Sequence, residues 1–313
     1  MTTLSTLSRR HFLATSTAAT AACLFPRTLL AQPASDFLAK SRAANANNKI
    51  TTTPLRRNVT ALLGAGGNIA VLTGKEGKLV VDSGYASCQP QLTAALAAIN
   101  AQPIQVLINT HWHLDHVDGN EWMHSAGATI WAHENTRYRM SSSQYMAALN
   151  ATIPPAPIGA LPTILFNSYR TLSDHENTLK LTHYEPAHTD TDLSVHFTEA
   201  DIFHTGDTWF NGFYPFIDYS SGGNINGMIA AAEKNLATVT DSTIIIPGHG
   251  PIGNKAQFTE FRDMLVGARD NVAKLKKEGK SLQETIAAKP TAAYDEKWGK
   301  KPEAFIGYVY QGV

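Results

Sequence analysis

The chain has 313 residues and an apolar fraction of 43%, enough for one large domain or two modest ones around a sizeable core. Lys plus Arg and Asp plus Glu number 26 each. No net field therefore draws the chain to DNA, RNA or an anionic membrane surface, and nucleic acid is excluded as a default partner.

The chain begins with a basic pair, Arg9-Arg10, ahead of His11-Phe12-Leu13, a weakly apolar run over 14–30 and small residues around Ala31. A basic start, an apolar middle and a small-residue exit resemble a twin-arginine export signal. Residues 1–31 are accordingly set apart from the fold as a signal peptide, which implies a protein that folds before export and a periplasmic or secreted location. The run is too rich in Thr, Ser and Ala for a permanent anchor, so no stable membrane insertion is expected once the signal is removed. Cys23 follows Thr20-Ala21-Ala22, and a lipoprotein cleavage site would have Leu where Thr20 stands, which argues against lipidation. Without residues 1–31 only Cys88 remains, so no intramolecular disulfide is expected and stability rests on the core and on any bound metal.

Residues 32–57 are polar, rich in Ala and Asn and without a sustained period, and are expected to be a linker or a loosely packed entry segment. The main domain is expected over 58–280. Short β-type runs over 59–63, 69–73 and 78–81, separated by Gly64-Ala65-Gly66-Gly67 and Gly74-Lys75-Glu76-Gly77, predict an antiparallel meander. A helix over 91–99, a buried strand over 104–108, a His-rich loop, a short helix from Gly119, a strand over 129–132 and a helix over 134–149 follow. Strand alternating with helix argues for layered α/β packing. The four prolines of 153–162 make a loop. A second half repeats the order, with β-runs over 169–172, 178–184, 193–197 and 202–204, a helix over 225–237, a strand over 243–246 and a helix over 255–277. Residues 281–313 are expected to form a helical tail packed on the domain.

Immediately after the 104–108 strand the chain reads Asn109-Thr110-His111-Trp112-His113-Leu114-Asp115-His116, four candidate ligands within six residues. A loop at a strand end can aim several imidazoles inward, and His and Asp are ligand types that zinc accepts. His-X-His-X-Asp-His after a buried strand resembles the signature of the metallo-β-lactamase superfamily. That family takes its other ligands from three later loops, each after a strand. The chain has Pro186-Ala187-His188-Thr189-Asp190, Thr205-Gly206-Asp207-Thr208 and Pro247-Gly248-His249-Gly250 in that order, and Asp82-Ser83-Gly84 sits where the family places an early structural aspartate. The resemblance spans about 59–269.

The resemblance implies an α/β fold, a four-layer αβ/βα sandwich with two mixed sheets face to face and helices outside. It implies two zinc ions, with iron or manganese as alternatives: His111, His113 and His188 would hold the first, Asp115, His116 and His249 the second, and Asp207 would bridge them. Asp115 and Asp207 would be the catalytic carboxylates, acting on a water shared between the metals. Dedicated metallo-β-lactamases usually lack an aspartate at the position of Asp207, whereas lactonases, glyoxalase II-like thioesterases and phosphodiesterases have one. The expected function is therefore exported hydrolysis of an ester-like bond in a small molecule, namely a lactone, thioester, carboxylic ester or β-lactam. A β-lactamase proper, an iron-dependent oxygenase resembling persulfide dioxygenases and a non-catalytic zinc-binding export protein are the alternatives. Oligomeric state has no sequence signal.

Other residues have plainer expectations. His133 is read as a helix cap or core residue ahead of a substrate contact, and His124, His175, His183, His196 and His204 as surface or core residues. Trp209, Phe210, Phe213, Tyr214 and Phe216 either wall an apolar pocket or pack the core. Residues 141–169 are either a lid or a long connection.

Overall fold

The computed structural model describes residues 34–299 and 301–313, so the expected signal peptide and Cys23 lie outside it. In chain order the first half contains α1 (Ala34–Asn45), β1 (Thr51–Pro54), β2 (Val59–Leu63), β3 (Ile69–Thr73), β4 (Lys78–Val81), α2 (Gln89–Ile99) and β5 (Ile104–Ile108). Then come α3 (Leu114–Val117), α4 (Asn120–Ser125), β6 (Thr129–His133), α5 (Glu134–Met140), β7 (Gln144–Met146), β8 (Ala151–Ile153) and β9 (Ile164–Phe166). The second half has β10 (Tyr169–Asp174), β11 (Asn177–His183), β12 (Leu193–Phe197), β13 (Ile202–His204), α6 (Ile225–Thr238) and β14 (Ile244–Ile246). Four helices close the chain: α7 (Lys255–Lys277), α8 (Leu282–Ala287), α9 (Asp295–Trp298) and α10 (Glu303–Gly312).

A seven-stranded mixed sheet has the order β1-β2-β3-β4-β5-β6-β9 and a five-stranded one the order β10-β11-β12-β13-β14. The meander β1 to β4 is antiparallel, and β4, β5, β6 and β9 run parallel to one another. Alternate residues of each strand face opposite sides, and that period of two builds the layers. Ala70, Leu72, Leu79 and Val81 point to the second sheet, where they meet Leu181, Leu193, Val195 and Ile246. Their neighbours Val71 and Val80 point outward to Leu92 and Leu96 of α2 and Met123 of α4. On the far side of the second sheet, Phe203 and Ile245 pack on Met228 of α6, Phe258 and Phe261 of α7, and Phe305 of α10. Three apolar layers thus separate helix, sheet, sheet and helix, the four-layer arrangement.

Residues 34–57, expected to belong to a linker or loosely packed entry segment, include regular structure. They contain α1 and β1, and β1 extends the first sheet by pairing Thr51 with Leu63 through Pro54 with Thr60. The β-branched run Thr51-Thr52-Thr53 suits an edge strand. The helix is weakly patterned and is held by tertiary contacts: Arg42 forks onto Asp118 at 3.0 and 2.7 Å, the Asn45 carbonyl accepts from Cys88 Sγ, and Phe37 packs on the cluster around Trp112.

The expected helix over 134–149 stops at Met140. Ser141-Ser142-Ser143 follows, and serine side chains compete for backbone hydrogen bonds and disfavour helix continuation. The chain instead folds into the hairpin β7–β8, in which Gln144 pairs with Ile153 and Asn150 takes the left-handed turn conformation at φ 47°. Residues 164–166, expected as part of a lid or a long connection, form β9 beside β6. The C-terminal segment packs on the domain through Phe305, Ile306 and Val309. Among the described residues no helix is long and apolar enough to cross a membrane.

Candidate metal centre

The ligand candidates all sit beyond strand ends. His111 and His113 lie on the turn after β5, and α3 starts directly after His113, so Asp115 and His116 project from its first turn. His188 lies on the loop between β11 and β12, Asp207 on a short 3-10 turn after β13, and His249 on the loop after β14. Gly206 enters its turn at φ 53°, a conformation glycine adopts without strain.

These loops bring the seven side chains into two adjoining groups: His111, His113, His188 and Asp207, and Asp115, His116 and His249. His188 Nε2 is 2.9 Å from His113 Nδ1, and His116 Nε2 is 3.3 Å from His249 Nε2. Asp207 touches both groups. Its Oδ2 is 3.4 Å from Nε2 of His188 and 3.4 Å from Nε2 of His249, and its Oδ1 is 3.1 Å from His116 Nε2. Asp115 Oδ2 is 3.1 Å from His249 Nε2.

The outer ring nitrogens are occupied, which turns the inner ones toward the centre. His116 Nδ1–H donates to Asp82 Oδ2 at 2.7 Å, His113 Nε2–H to Asp218 Oδ2 at 3.1 Å, and His188 Nδ1–H to the Phe216 carbonyl at 2.8 Å. His111 Nδ1 lies 3.1 Å from the Thr110 hydroxyl, which donates to Asp82 Oδ2. Asp82 thus orients two imidazoles, and it is held at φ 66° by accepting the Thr110 N–H as well. Such outer acceptors fix the tautomer that leaves a lone pair for a cation.

Electrostatics separate the two groups. Burial lowers His111 well below the ordinary imidazole range and His188 to about 4, with neighbouring imidazoles adding to the effect. Burial also works against charge on His116 and His249, yet the carboxylates of Asp207 and Asp115 outweigh it, raising His249 to about 10 and His116 well above its usual value. Burial likewise opposes ionisation of Asp207, but the surrounding imidazoles hold it well below the usual carboxylate range.

The donor set fits a pair of divalent cations. His111 Nε2 and Asp207 Oδ1 are buried without a hydrogen-bond partner, a costly state for polar atoms unless a cation satisfies them. Two ligand nitrogens at 2.0–2.1 Å from a tetrahedral ion lie about 3.3 Å apart, close to the nitrogen separations seen here. Imidazole with carboxylate is also the ligand mixture that zinc accepts.

Asp218 is a site residue that the sequence reading missed. Besides His113 it accepts from Ser221 Oγ at 2.5 Å, and burial, which would raise it, is outweighed by His113, holding it at about 2. Asp218→Asn keeps the shape but removes the charge behind His113, and metal affinity is expected to fall by about 10- to 100-fold. Competition with a chromogenic chelator measures this. Unchanged affinity would mean that Asp218 only braces its loop.

The cleft over the cluster is about 150 Å³ and is walled by Phe37, Tyr85, Trp112, Met146, Phe210 and Phe216. Of the aromatic run after Asp207, Phe210 and Phe216 face this cleft, Trp209 is buried against Phe258, and Tyr214 stacks on Phe305. The 141–169 segment reaches the cleft through its hairpin. His133 caps α5 by accepting from Asn135 N–H and stacks on His183 at 3.6 Å. A more voluminous, open and polar depression of about 810 Å³ around Arg57 and Glu176 shares no residue with the cluster.

Two facing mixed sheets with a buried His/Asp cluster beyond their strand ends define a metal-binding protein of the αβ/βα class. The chain belongs to the metallo-beta-lactamase superfamily, whose family model matches residues 63–253. It is 28% identical over 173 residues to a hydroxyacylglutathione hydrolase of Polaromonas sp. (strain JS666 / ATCC BAA-500), covering 55% of this chain and 58% of the relative. The chain therefore spans little more than half the length of that curated relative.

Among solved structures it resembles the stereoselective inverting sec-alkylsulfatase Pisa1 from Pseudomonas sp., at a TM-score of 0.63 and 16% identity, over 88% of this chain and 51% of that one. It also resembles the DIM-1 metallo-beta-lactamase, at a TM-score of 0.55 and 18% identity, over 70% of this chain and 98% of the other. At these identities the two structures share the fold.

Proposed function

We propose that this chain is a dinuclear, zinc-dependent hydrolase that cleaves an ester-like bond in a small molecule: a lactone, thioester, carboxylic ester or β-lactam. The observation that carries this reading is the place of Asp207, whose two oxygens face both ligand groups from within 3.1–3.4 Å. In this reading His111, His113 and His188 would hold one cation and Asp115, His116 and His249 the other, with Asp207 as a ligand available to both. Two cations held there would bring the pKa of a shared water from about 15.7 toward about 7 and so supply hydroxide at neutral pH.

The protein's own part is charge, orientation and a low local dielectric. Asp207 and Asp115 offset part of the cationic charge, which neutral imidazoles cannot do. Asp115 is 22% exposed against 4% for Asp207, so its carboxylate is the one placed at the cleft to take a proton from the attacking water and deliver it to the leaving group. The apolar walls lower the local dielectric, which strengthens each charge interaction beside them. Likeness to a hydroxyacylglutathione hydrolase supports an ester-like bond, and the carboxylate at 207 favours that class over a dedicated β-lactamase. The Arg9-Arg10 segment supports export before action.

A turnover screen tests the reading. Zinc-loaded protein is expected to hydrolyse at least one of a lactone, a thioester, a carboxylic ester and a β-lactam, with activity lost on chelation and restored by zinc. No turnover of any of them, or iron with oxygen uptake in protein purified from its native host, would replace hydrolysis by the oxygenase alternative or by metal binding alone.

A further inference from the structure

We infer that the cleft beside the metal centre is an apolar subsite for an unbranched acyl or alkyl chain on the substrate, with Phe37 of α1 as a specificity-determining wall. This rests on the hydrolase reading above and names its substrate class. Phe37, Met146, Leu149 and Ile153 line it from α1 and the β7–β8 hairpin, and Phe210 and Phe216 from the segment after Asp207. The carboxylates and imidazoles in the lining, His113, Asp115, Asp207 and His249, belong to the metal centre.

Two arginines of the adjoining pocket, Arg42 and Arg139, are already committed. Arg42 forks onto Asp118 at 3.0 and 2.7 Å, and Arg139 forks onto Asp190 at 2.5 and 2.6 Å. Among the described residues, an anionic substrate arm, such as the two carboxylates of a glutathione conjugate, therefore meets apolar walls and no guanidinium in the lining. An apolar chain loses nothing there and gains burial. A dry aliphatic cavity of about 150 Å³ takes a benzene-sized molecule, so this cleft suits a chain of several carbons. Leu149 is 42% exposed at the hairpin tip and offers further apolar surface to such a chain at the mouth.

Phe37 is positioned rather than merely near. The Arg42–Asp118 fork, the Cys88 contact to the Asn45 carbonyl and the Gln91 bond to the Ala46 carbonyl fasten the end of α1, and Phe37 lies about two turns before it. The segment expected as a linker is thus part of the substrate wall.

The test uses p-nitrophenyl acetate, butyrate, hexanoate and octanoate with zinc-loaded full-length protein. kcat/KM is expected to rise by about four-fold per added methylene until the cleft is filled. Phe37→Ala is expected to flatten that slope. Because removal of Phe37 can loosen α1, Leu149→Glu at the exposed hairpin tip is the second variant, and it too should flatten the slope. Binding of n-butanol, n-hexanol and n-octanol, followed by ligand-observed NMR, should tighten in the same order whether or not any ester turns over.

A flat series in the unmodified protein, an unchanged slope in both variants, or a preference for an S-(hydroxyacyl)glutathione over the octanoyl ester would overturn the subsite. Ester turnover insensitive to chelation would instead overturn the hydrolase reading, and the alkanol series would still decide the subsite.

Discussion

Asp207→Ala is expected to give a folded protein that binds about one metal ion in place of two and turns over substrate at least about 10³-fold more slowly, with the loss in kcat. The physical case starts from charge. Asp207 is 4% exposed and its oxygens lie 3.1–3.4 Å from inner nitrogens of both ligand groups. Without it, five imidazoles and Asp115 alone would face two dications at short range, and the second cation would be bound against the repulsion of the first. The variant also removes a carboxylate behind the raised His116 and His249, so protons and metal both leave more readily. Elemental analysis of metal per chain, beside single-substrate kinetics, reads both effects. Full activity with two ions still bound would refute the assignment of Asp207 as the shared ligand.

How much of this was legible in the sequence depends on what each residue needs around it. The run His111 to His116 declares itself because polar ligand types follow a buried strand, and His188, Asp207 and His249 each follow a strand with turn residues beside them. The β2–β3–β4 meander is similarly local, since glycines punctuate its short apolar runs. Phe37 is the opposite case. Its helix is Ala-rich and weakly patterned, and it holds its place through contacts with residues far along the chain, such as Asp118 and the cluster around Trp112. The hairpin after Met140 was hidden because Gln144 to Met146 has no alternation long enough to signal a strand, and the turn residue Asn150 sits amid the helix formers Ala147, Ala148, Leu149 and Ala151. Asp218 has no neighbouring motif; only the return of its loop to His113 makes it a partner.

Gly67→Ala is expected to have nearly as large an effect as loss of a ligand, although glycine contributes no chemistry. A Cβ at this position would overlap the His116 ring at its Cε1, Nε2 and Nδ1 atoms. The ring cannot yield sideways, because its Nδ1–H is fixed on Asp82 and His116 is fully buried. The backbone cannot yield easily either: Gly67 N–H donates to the Asp115 carbonyl at 3.0 Å, and the next residue, Asn68, donates to the Gly248 carbonyl at 2.8 Å. Overpacking of this kind costs about 1–3 kcal/mol of stability. Its consequence for the site is larger, since a ligand displaced by about 1 Å loses on the order of 10²-fold in rate. The expected result is a protein whose metal content falls toward one ion and whose activity drops by about 10²-fold or more. Gly307→Ala serves as the control, because a Cβ there meets nothing within 4 Å and lies in α10, where alanine is the better helix former. Equal metal content and activity in Gly67→Ala and Gly307→Ala would show that His116 can move without cost, and would remove it from the ligand set.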